Sequence, residues 1–149
     1  MVARDVGLER ITGEVVQLSR MNIIADTNIF LAVVLDEPEK KSIIELTAKA
    51  DAVAPEILPY EIGNALSAMI KRKQVTPEEA LKAQMTVQKI PVRLVNTDIQ
   101  SALRIAIEHN IYAYDAYFLQ CAKAMAFPLL TLDRKMRQVA NKLNIPILE

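Results

Sequence analysis

Ile23-Ile24-Ala25 is apolar at three successive positions with no polar alternation, the pattern of a strand covered on both faces. It ends in the polar triplet Asp26-Thr27-Asn28. Ile29, Phe30, Leu31, Val33 and Val34 then resume as a helix-like apolar segment. A carboxylate where a buried strand hands over to a helix stands at the carboxyl edge of a parallel sheet, where open α/β folds place their ligands. The local alternative is that Asp26 or Asn28 only caps the helix that follows.

The same alternation runs down the chain. Asp36-Glu37-Pro38-Glu39 breaks the first helix, since a proline disfavours helix at the residue before it. A second helix is expected over about 39–50, then a short strand Ala52-Val53-Ala54 closed by Pro55. Leu58, Ile62, Ala65, Leu66, Met69 and Ile70 fall at amphipathic helical spacing across 58–73. Glu61 lies in the first turn of that helix, with Asn64 and Ala65 on nearly the same face. Thr76-Pro77-Glu78-Glu79 opens another helix, with a capping threonine, a proline at the first helical position and a glutamate to complete a capping box. Residues 90–95 read as a strand. Asn96-Thr97-Asp98 caps a helix carrying Ile99, Leu103, Ala106 and Ile107, and Asp115 leads into a helix rich in small residues. The apolar run 128–132 ends at Asp133 in Thr131-x-Asp133; a helix over 134–143 follows, then an edge-like strand at 145–148. Strands alternating with helices argue for a three-layer α/β fold on a parallel sheet.

Residues 1–20 fit this rhythm poorly. Leu8, Ile11, Val15 and Leu18 allow a short amphipathic helix, weakened by Gly7 and Gly13. Met21 stands directly before the first strand. The expected division is an extension over 1–20, outside the domain or an over-extended start, and one domain over 21–149. The chain's 149 residues suit a single core. Charges at Arg4, Asp5, Glu9, Arg10 and Glu14 interrupt any apolar leader, and no membrane span is visible, so a cytoplasmic location is expected.

Composition narrows the chemistry. Eighteen basic and eighteen acidic residues cancel, so no global field attracts a polyanion, and a nucleic acid would be held by local patches or through a metal. One cysteine, Cys121, and one histidine, His109, exclude Cys-rich and His-paired metal motifs. A catalytic metal would therefore be held mostly by carboxylates, which suits Mg²⁺ or Mn²⁺.

Asp26 and Asp133 end apolar strands, Asp115 starts a helix, and Glu61 lies in a first helical turn. Each alone reads as a cap or as a complement to the helix dipole. All four at one sheet edge would repel one another, a conflict that a bound divalent cation resolves.

Asp26-Thr27-Asn28, Glu61 with Asn64, Asp115-Ala116 before a small-residue helix, and Thr131-x-Asp133 together resemble the PIN-domain nucleases. The closer resemblance is to the VapC-type ribonuclease toxins of prokaryotic toxin–antitoxin pairs, and it runs from Met21 to Glu149. It implies a roughly five-stranded parallel sheet, an acidic pocket for Mg²⁺ or Mn²⁺, and hydrolysis of RNA to 5′-phosphate and 3′-hydroxyl ends. Asp26, Glu61 and Asp115 match the core ligands and Asp133 the more variable fourth acid. Thr27 belongs to the first motif and Asn64 accompanies Glu61, while Asn28 and Thr131 match positions that orient the carboxylates or metal-bound water. A small protein antitoxin is the implied partner, while the apolar excess of the chain, 52% of its residues, separately motivates a homodimer.

Arg134, Lys135 and Arg137, beside Asp133, are candidate RNA-phosphate contacts, as are Lys71-Arg72-Lys73 with less weight. Cationic helix ends serve the macrodipole equally well. Two rival functions stay open: a catalytically silent PIN-like scaffold that binds RNA or protein, and a receiver-type phosphoacceptor domain. The second needs a lysine ending a late strand, where this chain has Thr131-Leu132-Asp133.

Overall fold

The computed structural model describes residues 20–149 and the backbone of residues 8–11 and 14–17. β1 (Leu8–Ile11) and β2 (Glu14–Gln17) pair antiparallel with Leu8 opposite Gln17. The amphipathic helix expected there is thus corrected to a hairpin; Leu18, the last residue of that pattern, lies outside the described residues. Ile11, Val15 and Val16 are β-branched, a class that packs well on a pleated surface.

β3 (Met21–Ala25), β4 (Ala50–Pro55), β5 (Val92–Val95) and β6 (Leu129–Leu130) form a second sheet in the order β5-β4-β3-β6. Every pairing in it is parallel, with Ile24 opposite Val53 and Ala25 opposite Leu130. The expected five strands are therefore four among the described residues. The last apolar segment contributes one bridge, Leu129 to Ile147. It is closed by Leu129 N–H donating to the Pro146 carbonyl (2.9 Å) and Leu148 N–H to the Leu129 carbonyl (2.9 Å). The ladder stops there because β6 is two residues long: Pro128 precedes it and Thr131 turns away to hold Asp26.

Seven helices connect the strands among the described residues: α1 (Thr27–Val34), α2 (Lys40–Leu46), α3 (Leu58–Lys71), α4 (Pro77–Val87), α5 (Ile99–His109), α6 (Ala113–Met125) and α7 (Arg134–Lys142). The capping box of α4 forms as its sequence predicts, with Glu79 N–H on Thr76 Oγ1 (3.0 Å) and Thr76 N–H on Glu79 Oε1 (2.8 Å). α6 lies against β3, β4 and α5, and α1 packs on α2, α3 and α4. Ile23, Ile24, Val53, Phe118, Leu119, Leu129 and Met136 are fully buried where these layers meet. Truncating one such residue, Ile24→Ala for instance, costs about 2–5 kcal/mol. None of the described helices is long and apolar enough to cross a membrane.

The strand order positions the site. The chain steps from β3 to β4 to β5 in one direction, then returns to place β6 on the other side of β3. That reversal opens a crevice beyond the carboxyl ends of β3 and β6, the switch point of an open α/β sheet. Asp26 follows β3 there, and Thr131 follows β6.

Candidate active site

Four elements deliver one carboxylate each to this crevice. Asp26, Glu61, Asp115 and Asp133 line a single cavity of about 160 Å³, together with Thr27, Asn28, Asn64, Ala65 and Phe118. Asp26 is the N-cap of α1: its Oδ1 accepts the Ile29 N–H at 3.3 Å, and its Oδ2 accepts the Thr131 hydroxyl. Asp133 is the N-cap of α7, with Oδ1 accepting the Met136 N–H at 3.1 Å. Glu61, in the first turn of α3, accepts the Thr27 hydroxyl. Asp115 lies in the first turn of α6, which begins at Ala113 and so takes Asp115 inside the helix.

Thr131 is the node. Fully buried, it donates to Asp26 while its Oγ1 accepts the Asp133 N–H at 3.0 Å. One hydroxyl therefore fixes the ends of both acid-bearing turns. Behind it, Arg137 Nε and Nη2 donate to the Thr131 carbonyl at 3.3 and 3.2 Å. The guanidinium thus satisfies a backbone acceptor just past the end of β6.

Burial, and for two of the acids their crowding, shows in their proton affinities. Burial pushes the Asp26 carboxyl up to about 6, against the pull of its bonds from Thr131 and Ile29, and the charges of Asp133 and Asp115 add to the rise. Asp115 is likewise pushed up to about 6, by burial first and then by Asp133 and Glu61. Burial raises Glu61 as well, with the Thr27 bond opposing. Each acid that shifts is thus desolvated, and Asp26 and Asp115 also feel the other acids.

The PIN domain family profile matches residues 23–142. This chain belongs to the PIN-domain family. Within the family, it is similar to Ribonuclease VapC1 of Mycobacterium tuberculosis, at 30% identity over 87 residues. Those residues are 56% of this chain and 63% of that protein, so the match spans less than two thirds of the curated relative's length. Among solved structures, the PIN fold is shared with PAE2754 from Pyrobaculum aerophilum, with a TM-score of 0.62 at 21% identity over 80% of this chain and 79% of that one. VapBC2 from Rickettsia felis, bound to a DNA fragment from its promoter, gives a TM-score of 0.58 at 18% identity over 87% and 98% of the two chains. FitAcB from Neisseria gonorrhoeae gives 0.55 at 17% identity over 85% and 96%.

Of the residues singled out in the sequence, eight meet at this PIN-domain cavity: the four acids, Thr27, Asn28, Asn64 and, through its hydroxyl, Thr131. Arg134 and Lys135 are exposed on the first turn of α7, outside its lining. Arg137 is bound to the Thr131 carbonyl instead of projecting freely. Cys121 is buried near Thr97, Sγ to Oγ1 3.5 Å. Phe118 has no polar group to mark it in the sequence, yet this buried ring walls the cavity beside the acids. Its signal was its spacing, three residues beyond Asp115 on one face of α6.

The donor set fits a hard divalent cation: carboxylate oxygens and two side-chain amides line one cavity. Among the described residues no three acids stand close enough together to enclose an ion. Asp26, Glu61 and Asp133 are each turned into a hydrogen bond with the chain. Glu61 would have to leave Thr27 to reach one.

Proposed function

We propose that this PIN domain is an endoribonuclease dependent on Mg²⁺ or Mn²⁺, and the toxin of a type II toxin–antitoxin pair. The observation that carries this is the convergence of four carboxylates, from four elements spread over more than a hundred residues, on one small cavity. Similarity to a protein named as a ribonuclease supports the substrate class. Residues 21–149 would form the catalytic unit, with 1–20 outside it.

In this reading Asp26, Glu61 and Asp115 hold the cation, and Asp133 acts through water. When bound, the ion would polarise the scissile phosphate and lower the pKa of an attacking water. The chain does the rest. Thr131 fixes the Asp26 carboxylate at the cavity wall, and Thr27 holds Glu61 until an ion draws it away. The Asn28 and Asn64 amides offer donors to phosphate oxygens. Phe118 and Ala65 keep one wall dry, which strengthens every charge interaction inside. The water oxygen joins phosphorus as the bond to the 3′ oxygen breaks, leaving a 5′-phosphate and a 3′-hydroxyl.

The same reading includes a small antitoxin that covers the cavity, a homodimer and a cytoplasmic location. Ile99, Leu103 and Ile107 support the dimer: spaced four apart, they form an exposed apolar stripe along α5. Purified protein with RNA, with and without Mn²⁺, tests the core claim. Cleavage that appears with the ion and stops in EDTA is expected. RNA binding with no cleavage at any divalent-ion concentration would select the silent scaffold instead.

A further inference from the structure

The acidic cavity does not end at the acids. A second cavity of about 440 Å³ shares Asn28, Ala65 and Asp133 with it, so the two adjoin at these residues. From that junction it runs beside α3 to Arg72, the C-cap residue of the helix. Eleven residues separate Glu61 from Arg72, which is about 16 Å along a helix axis. Among the described residues lining the two cavities, Arg72 is the one cation. Met69 and Leu132 give the second cavity apolar surface, with Leu132 38% exposed, and Gln74 adds an amide.

Resting on the nuclease reading, we propose that this second cavity is the groove by which a single RNA strand leaves the acidic site, with Arg72 clamping a phosphate remote from the scissile one. A strand held at the acids must pass on across the surface beside them, and this cavity adjoins theirs at Asn28, Ala65 and Asp133. Its chemistry suits RNA along its length. Arg72 takes a phosphate oxygen at the far end, Met69 and Leu132 offer apolar area to a base or ribose, and the Glu37 carboxylate, also in the lining, can accept from a 2′-hydroxyl, the group that separates RNA from DNA. The competing account is local: Arg72 at the carboxyl end of α3 complements the helix dipole and does nothing else.

The two accounts differ in salt dependence. Binding of a fluorescent single-stranded RNA is followed by anisotropy between 50 and 200 mM salt, on full-length protein carrying Asp26→Asn to prevent cleavage. Losing one phosphate contact should flatten the slope of log K against log salt by about 0.7 and weaken binding about fivefold at 0.1 M salt. Arg72→Gln should show this change, and Arg72→Lys, which keeps the charge, should largely restore the slope. In the cleaving protein, Arg72→Gln should raise KM for long RNA more than it lowers kcat. An unchanged slope in Arg72→Gln overturns the clamp, whether Arg72 then serves the helix or a protein partner. Because binding is read without cleavage, this failure is distinct from failure of the nuclease reading, in which unmodified protein leaves RNA intact with Mn²⁺.

Discussion

Two strand-to-helix turns in this molecule look alike in sequence and behave oppositely. Asp26 follows β3 and caps α1 through the Ile29 N–H at 3.3 Å; Asp98 follows β5 and caps α5 through the Ser101 N–H at 3.2 Å. Both backbones are extended at the cap. Asp26 is 4% exposed and its proton affinity is raised by burial. Asp98 is exposed, and the Ser101 hydroxyl and backbone N–H hold its carboxyl below the usual value. The difference is the place of the strand. β3 is central, between β4 and β6, while β5 is the sheet edge. A capping carboxylate acquires chemistry where sheet order buries it beside other acids, and remains a cap where the sheet ends.

The contrast is broken or sharpened most strongly by activity. Asp26→Asn should cut RNA cleavage roughly a thousandfold, the loss of several kcal/mol of metal-dependent stabilisation, with the circular dichroism spectrum unchanged. Asp98→Asn should leave the rate within about twofold. Equal losses from the two would mean that Asp26 is also no more than a cap.

Next comes pH, where the two aspartates carry opposite signs. A carboxyl whose folded value is about 6 against an ordinary 3.8 binds its proton more tightly in the folded state. Its contribution to stability is full below about pH 4 and is lost as pH rises to about 6, a change of about 3 kcal/mol. Asp115 pushes the same way, less because it is partly solvated. Asp98 contributes above its ordinary value, and that contribution fades as pH falls through its lowered one. Denaturant unfolding of metal-free protein at pH 4.5 and 7 should show Asp26→Asn gaining on the unmodified chain at pH 7. No relative gain at the higher pH would contradict the buried, charge-crowded setting of Asp26.

A smaller effect separates shared acids from solitary ones. Mn²⁺ at ten times its dissociation constant should stabilise the unmodified protein by about 1.4 kcal/mol, roughly 3–6 °C in melting temperature for a chain of this size. Asp115→Asn should melt higher than the unmodified protein in EDTA, because one repelling charge is gone, and should respond less to Mn²⁺. Identical melting curves for the two, with and without the ion, would show that Asp115 stands apart from the other acids.

Much of the architecture was legible because its signals are local. The capping box at Thr76 and Glu79 starts α4 where its residues say, and the unbroken apolar run of Ile23-Ile24-Ala25 is the buried central strand. Sheet order is not local, and it is what divides Asp26 from Asp98. The apolar character of 145–148 suggested a fifth strand, but pairing needs a partner of matching length, and β6 supplies two residues. The hairpin before β3 was hidden because apolar residues at helical spacing, such as Leu8, Ile11 and Val15, also fit two short strands. Arg137 read as a surface cation because nothing in its neighbourhood reveals that the Thr131 carbonyl lacks a ladder partner. Phe118 reads as core, which it is; that it also lines the acidic cavity depends on where α6 lands.

The bond from Thr131 to Asp26 spans 105 residues of chain. Synthesis proceeds at about 5–20 residues per second, so roughly 5–20 s separate the appearance of the two partners. Through that interval β3 has no neighbour on its β6 side, and the Asp26 carboxylate lacks the hydroxyl that fixes it. Asp26, Glu61 and Asp115 are all synthesised before their alignment can be completed. Translation itself thus delays the site's assembly until β6 and the turn after it have been made.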